Sequence, residues 1–192
     1  MCHREVAAHG LTLNTREEAR EYSDANTLER YQDIGKGVSV KRVNPAYLEA
    51  VAKKVSTSPY FTLLSMEITD LSLGQSRLEV VVEKKHLQPF GMVHGGVYAS
   101  VVDAAAFWGV YPQLDEDFGI TTVELKLNYL APTSSGLLVA KGKSIKVGKS
   151  ICLAEAYVED KTGKLLAHGT ETMMVLKDLK IQGHEELPPK FL

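Results

Sequence analysis

Between Val97 and Val110 the chain runs almost without a polar side chain, and small residues crowd the run at Ala99, Ser100, Ala104, Ala105 and Ala106. A stretch of this kind forms a helix packed on most of its sides rather than an amphipathic helix lying on a surface. It is shorter than the roughly 20 residues that cross a bilayer. The rest of the chain has to supply the surface that covers it.

Two features of this helix are expensive. Gly95 and Gly96 stand where it starts, and glycine costs roughly 1 kcal/mol against alanine inside a helix. Bare glycines let a first-turn N–H approach an anion or a polarised carbonyl closely; a tight loop-to-helix turn is the plainer reading. Asp103 is one acid in an apolar run. It must be neutralised, hydrogen-bonded or solvated in a cleft, either as a working carboxylate or as a structural acid satisfied by a neighbour. Gly95 and Asp103 are eight positions apart, so their backbones lie about 12 Å apart along the axis. One helix does not easily bring both to one reacting atom. Two copies antiparallel across a twofold axis could, which suggests a homodimer with two composite sites.

Along the chain, Thr15 and Glu18 make a capping-box pattern ahead of a charged segment reaching Ile34, with Tyr22 and Tyr31 as docking candidates. Gly35-Lys36-Gly37 would end that helix, and residues 1–40 read as an N-terminal extension. Asn44-Pro45 is an N-cap followed by a proline at the first helical position, and Leu48, Val51, Ala52 and Val55 give the next helix one apolar face ending near Ser58-Pro59.

From Met66 the period changes to two. Strands are expected at Ile68–Leu73 and around Leu78–Val82, joined at Gly74-Gln75, and then at Ile120–Leu130, Leu137–Val147, Ile151–Glu159 and Leu165–Leu176. Turn residues separate them at Ser135-Gly136, Gly148-Lys149 and Asp160–Gly163. The strand after the helix alternates most cleanly, with Val123, Leu125, Leu127 and Tyr129 on one face and Glu124, Lys126 and Asn128 on the other. Short links imply antiparallel pairing, and a curved sheet wrapped around one apolar helix accounts for both patterns. This is an α+β domain over residues 41–176. The tail, 177–192, either stays disordered or clamps a neighbouring surface.

With 22 basic and 24 acidic residues among 192, the net charge is −2, which offers no footprint for nucleic acid or a membrane surface. Cys2 and Cys152 show neither disulfide nor metal spacing, and no signal-peptide pattern stands at the start, so a cytoplasmic location is the expectation. The histidines show no ligand spacing, and no Gly-x-Ser-x-Gly elbow occurs.

The order strand, strand, helix, four strands, with Gln88-x5-His94-Gly95-Gly96-x6-Asp103 and then Thr122-Val-Glu-Leu-Lys-Leu-Asn-Tyr-Leu-Ala-Pro132, resembles the hotdog-fold acyl-CoA thioesterases of the PaaI-like branch. The likeness covers about residues 45–176. It implies a catalytic Asp103, as general base or nucleophile, and a Gly95 N–H that polarises the thioester carbonyl. Gln88 matches the amide that positions water or substrate, His94 the histidine before the glycines, and Thr122 a hydroxyl that orients the nucleophile. The related aryl-CoA branch carries a hydroxyl one turn after the acid, where this chain has Phe107. The resemblance also implies dimers, often paired into tetramers, and no cofactor beyond the coenzyme A of the substrate.

Gly96, Phe107 and Tyr98 are candidates for substrate contacts, and Trp108, Tyr111 and Phe61 for an acyl pocket, the alternative for the aromatics being core. Lys143, Lys146 and Lys149 could meet coenzyme A phosphates or simply line a solvated strand edge. The function expected is hydrolysis of a small to medium acyl- or aryl-CoA. The alternative is a non-catalytic hotdog protein that binds an acyl thioester and regulates, and a hotdog dehydratase fits less well.

Overall fold

The computed structural model describes residues 42–192, so the helix expected between Thr15 and Ile34 lies outside the described residues. The first described helix, α1 (Pro45–Ser56), begins at its sequence signal: Asn44 is extended at φ −73° and ψ 118°, and its Oδ1 accepts from Ala46 N–H at 3.0 Å. Tyr47, Val51 and Val55 form its buried stripe. A short second helix, α2 (Pro59–Leu63), follows with Phe61 buried. Only an ending is legible there in the sequence, because five residues are too few to show a period.

Six strands, β1 (Met66–Ser72), β2 (Gln75–Val81), β3 (Phe118–Tyr129), β4 (Leu137–Val147), β5 (Ile151–Asp160) and β6 (Leu165–Lys177), form one antiparallel sheet. The sheet order is β1-β2-β4-β5-β6-β3. The hairpin between β1 and β2 turns at Gly74, whose φ of +80° favours glycine. Between β2 and β3 the chain passes through the long helix α3 (Gly95–Val110). Because β2 and β3 lie towards opposite edges of the sheet, α3 crosses its inner face, and this is the hotdog arrangement.

Helix and sheet touch backbone to backbone, which explains the small residues. A Cβ at Gly142 of β4 would overlap the Ala105 carbonyl of α3, and Ser76 Oγ of β2 donates to that same carbonyl at 2.6 Å. A Cβ at Gly169 of β6 would come within 2.7 Å of Val102 Cγ1. Val101, Val102, Ala105, Ala106 and Val110 are fully buried as a result. Burial at roughly 25 cal/mol per Å² of apolar surface is the dominant favourable term at such a contact.

The simple alternation expected for β3 does not hold. A β-bulge between Thr122 and Glu124 leaves Val123 as the extra residue, 52% exposed, instead of sharing a face with Leu125 and Leu127. One inserted residue reverses the parity of a strand. Ile120 and Thr122 before the bulge therefore face α3 together with Leu125 and Leu127 after it.

The tail packs on its own domain. Val43 bridges to Phe191, Asn44 N–H donates to Lys190 O at 2.9 Å, and Leu192 N–H donates to Arg42 O at 2.9 Å. Lys190 is 3% exposed, with Nζ donating to Tyr111 O at 3.2 Å and lying 4.7 Å from the Tyr111 ring centroid. No described helix is long and apolar enough to cross a membrane.

Candidate active site

The loop before α3 is braced from inside. His86 is fully buried, its Nδ1 accepts from Glu83 N–H at 2.9 Å, and its carbonyl accepts from His94 N–H at 2.8 Å. Gln88 N–H donates to Met92 O, and Val93 N–H to Thr133 O, each at 2.8 Å. This arch delivers His94 to the N-cap of α3 in an extended conformation, φ −67° and ψ 140°.

His94 Nδ1 accepts from Gly96 N–H at 2.8 Å. The cap thus occupies the Gly96 amide, which places Gly96 in the turn rather than free to donate to a substrate. Gly95 N–H, one residue earlier, has no acceptor among the described residues. It is a helix N-terminal donor with partial positive charge behind it.

Around Gly95 lies a cavity of about 370 Å³ lined by Gln88, Met92, Tyr98, Tyr129, Leu130 and Pro132 among others. Gln88 Oε1 accepts from Phe90 N–H at 2.8 Å, so the carboxamide nitrogen is the end left for a bound molecule. Tyr98 is 4% exposed, its ring meets Tyr129 edge-on at 6.2 Å, and its hydroxyl has no partner among the described residues. Tyr129 OH donates to Gly95 O at 3.3 Å. Tyr129 carried no signal as a site residue in the sequence beyond its place in the strand.

Eight residues along α3, half-buried Asp103 has a different set of neighbours. Thr122 Oγ1 of β3 stands 3.0 Å from Asp103 Oδ1 and 2.6 Å from Glu171 Oε1 of β6. Burial pushes the Asp103 carboxyl above its ordinary pKa, and the Thr122 hydrogen bond pulls it partly back. Glu171 is fully buried, and its Oε2 has no partner among the described residues. Sequence reasoning passed over Glu171. The signal was available: strand parity places it with Gly169 and Met173 on the inner face.

Phe107, one turn beyond Asp103, joins Phe61, Trp108 and Tyr111 around an apolar cavity of about 680 Å³, closed on one side by Leu179 and Ile181 of the tail. Phe107 stacks on Tyr111 with an interplanar angle of 10° and meets Trp108 edge-on at 5.1 Å. Lys149 sits exposed in the β4–β5 turn. The paired residues Thr122, Met173, Cys152 and Val147 run across four strands, which sets that turn near the Thr122 level of the sheet. Among the described residues no group of three His, Cys, Asp or Glu is placed to hold a metal ion.

The chain also resembles known proteins. The thioesterase superfamily model matches residues 90–167, from the loop before α3 into β6. A 1,4-dihydroxy-2-naphthoyl-CoA hydrolase of Listeria monocytogenes is 32% identical over 117 residues, covering 61% of this chain and 95% of that protein. Acyl-coenzyme A thioesterase 13 of Mus musculus is 29% identical over 129 residues, covering 65% of this chain and 91% of the relative. In fold, a thioesterase from Haemophilus influenzae superposes with a TM-score of 0.64 at 21% identity, covering 76% of this chain and 95% of its own. The chain belongs to the thioesterase superfamily and is a hotdog-fold thioester hydrolase.

Proposed function

We propose that the chain hydrolyses small to medium acyl- or aryl-coenzyme A thioesters at sites shared between two copies, each using Asp103 of one copy and the Gly95 N–H of the other. One observation carries this reading. The His94 cap takes Gly96 N–H and leaves the Gly95 donor open, while the only acid on the same helix stands about 12 Å away along its axis. Neither half is complete alone. β3 is an edge strand, and Val123 and Tyr129 along it and Leu130 just past its end are 52%, 59% and 53% exposed, a surface that a second copy would cover.

In this mechanism the thioester carbonyl oxygen takes the Gly95 N–H, whose donation strengthens as negative charge develops. Loss of one such preorganised donor costs roughly 2.7–4 kcal/mol. The carboxamide nitrogen of Gln88 helps to seat the carbonyl or the water. Asp103, aligned by Thr122, accepts a proton from water as its oxygen attacks the carbonyl carbon. The tetrahedral intermediate then expels the coenzyme A sulfur, which takes up the proton, leaving free acid and thiol. If Asp103 attacks directly, an anhydride forms first and water cleaves it afterwards. Incorporation of solvent oxygen into Asp103 during a single turnover distinguishes the two routes.

The acyl group is assigned to the apolar cavity at Phe107. It adjoins Asp103 by one helical turn and Thr122 through Ile120 on the same strand, and its volume of about 680 Å³ falls in the range of small-molecule pockets. Lys149, with Lys143 and Lys146, would meet coenzyme A phosphates at the sheet surface.

The test is coenzyme A release from short, medium, long and aromatic acyl-CoA thioesters by the native protein and by Asp103→Asn. Release by the native protein alone supports the reading. Equal release by both refutes Asp103, and binding without release by either favours a non-catalytic acyl-thioester binder.

A further inference from the structure

Thr122 has one hydroxyl hydrogen, yet its oxygen stands within hydrogen-bond distance of two carboxyl groups, 3.0 Å from Asp103 Oδ1 and 2.6 Å from Glu171 Oε1. If both carboxyls were ionised, one contact would hold a lone pair against a negatively charged oxygen with no hydrogen between them. Two hydrogens are needed for two such contacts. One belongs to Thr122, and the other has to sit on a carboxyl.

The surroundings decide which carboxyl. Glu171 is fully buried, and its Oε2 has no partner among the described residues. Beside it in register are Leu125 of β3 and Ala154 of β5, and along its own inner face are Gly169 and Met173. One rung away β5 contributes Cys152, a buried thiol whose own pKa burial raises. The charge that α3 turns toward it is Asp103, of the same sign. No cation faces it from these elements, so an ionised Glu171 would be a buried anion with one oxygen unpaired, next to another anion. Asp103, by contrast, is only half-buried.

We propose that Glu171 is a positioning residue: it holds a proton, donates that hydrogen to Thr122 Oγ, and thereby fixes the Thr122 hydroxyl as a donor to an ionised Asp103. The inference rests on Asp103 being the working carboxylate and deepens that reading. Burial, with the Asp103 charge adding, pushes the Glu171 carboxyl up to about 8, so the proton is retained at neutral pH. Above that pH an ionised Glu171 draws the Thr122 hydrogen to itself across the shorter contact, and Asp103 loses its donor. The chain direction of the hydrogen bonds, Glu171 to Thr122 to Asp103, is what the buried acid supplies.

The test uses the full chain with Glu171→Gln and Glu171→Leu. Gln presents an N–H to Thr122 as protonated Glu does, and it cannot ionise; Leu offers no hydrogen at all. Infrared spectra across pH read the protonated carboxyl directly. The expected result is a carboxylic-acid carbonyl band at pH 7 that fades as pH passes about 8 and is missing from Glu171→Gln.

In coenzyme A release, native kcat/KM is expected to fall above the same pH. Glu171→Gln is expected to stay within about threefold of native at pH 7 and to lose that fall, while Glu171→Leu drops about tenfold or more across the range. A missing band at pH 7, an alkaline fall that persists in Glu171→Gln, or a Gln variant as slow as the Leu variant each overturns the proposal. Should the native protein release no coenzyme A, the hydrolase reading fails, and the band alone decides where the proton sits. Because Gln matches Glu in shape, the test stands even if the Leu variant does not fold.

Discussion

Burying an acid in its neutral form ties stability to pH, and Glu171→Gln makes that tie measurable. The Glu171 carboxyl moves from 4.5 to about 8 on folding, chiefly through burial. Between those values the folded protein keeps a proton that the unfolded chain has released, so stability falls as pH rises. The contribution is fully present below about 4.5 and is lost as pH climbs through about 8. At 1.36 kcal/mol per unit, the decline is on the order of 3–5 kcal/mol. Glutamine does not titrate, so its variant lacks this slope while sharing every other one.

Urea unfolding at pH 5, 6, 7 and 8, followed by the fluorescence of Trp108, reads the difference directly. Trp108 is the chain's single tryptophan and is 8% exposed. Protein concentration is held fixed, because association shifts apparent stability. The variant's advantage over native protein should grow by about 3–4 kcal/mol from pH 5 to pH 8, at similar m-values. A constant difference across pH would refute a neutral buried Glu171.

Gly142→Ala should destabilise by about 1–3 kcal/mol or more, read as a lower denaturation midpoint, because its methyl would overlap the Ala105 carbonyl that Ser76 already holds. His94→Ala should cost about 1 kcal/mol in unfolding free energy through the lost cap on Gly96, and His94→Asn should recover most of it. Phe107→Ala should raise KM for medium-chain or aromatic thioesters by about tenfold or more in steady-state kinetics while changing acetyl-CoA little, because it removes a wall of the apolar cavity. Equal effects on both substrates would remove the acyl group from that cavity.

The sequence exposed the framework more readily than the site's fine geometry. The apolar run Val97–Val110 announced a covered helix because no side of it was polar. β4 could be bounded at Leu137 and Val147 because turn residues stand at both ends. The bulge at Val123 was invisible, since a residue inserted into a strand leaves the string of side chains looking like ordinary alternation. That bulge is what turns Thr122 toward Asp103. The roles of Gly95 and Gly96 also separate only in three dimensions, where His94 takes one amide and leaves the other. Glu171 was legible in principle, as an acid in step with Gly169 and Met173. Its meaning came from Thr122, which is distant in sequence and adjacent across β3 and β6. The tail gave no periodic pattern, and its place depends on Lys190 and Phe191 meeting the start of α1.

The shared site is tested most directly by mixing two variants, Asp103→Asn and Gly95→Pro. Proline suits the first helical position and removes the Gly95 N–H, its added Cβ standing 3.1 Å from the Tyr129 hydroxyl, and the extended His94 at ψ 140° is compatible with a following proline. Each variant alone should release almost no coenzyme A. After mixing and reassociation, half of the dimers should be hybrids with one intact site, restoring about one quarter of native activity. A mixture as inactive as its parents, with hybrids shown to have formed, would contradict a site built from Asp103 of one copy and Gly95 of the other.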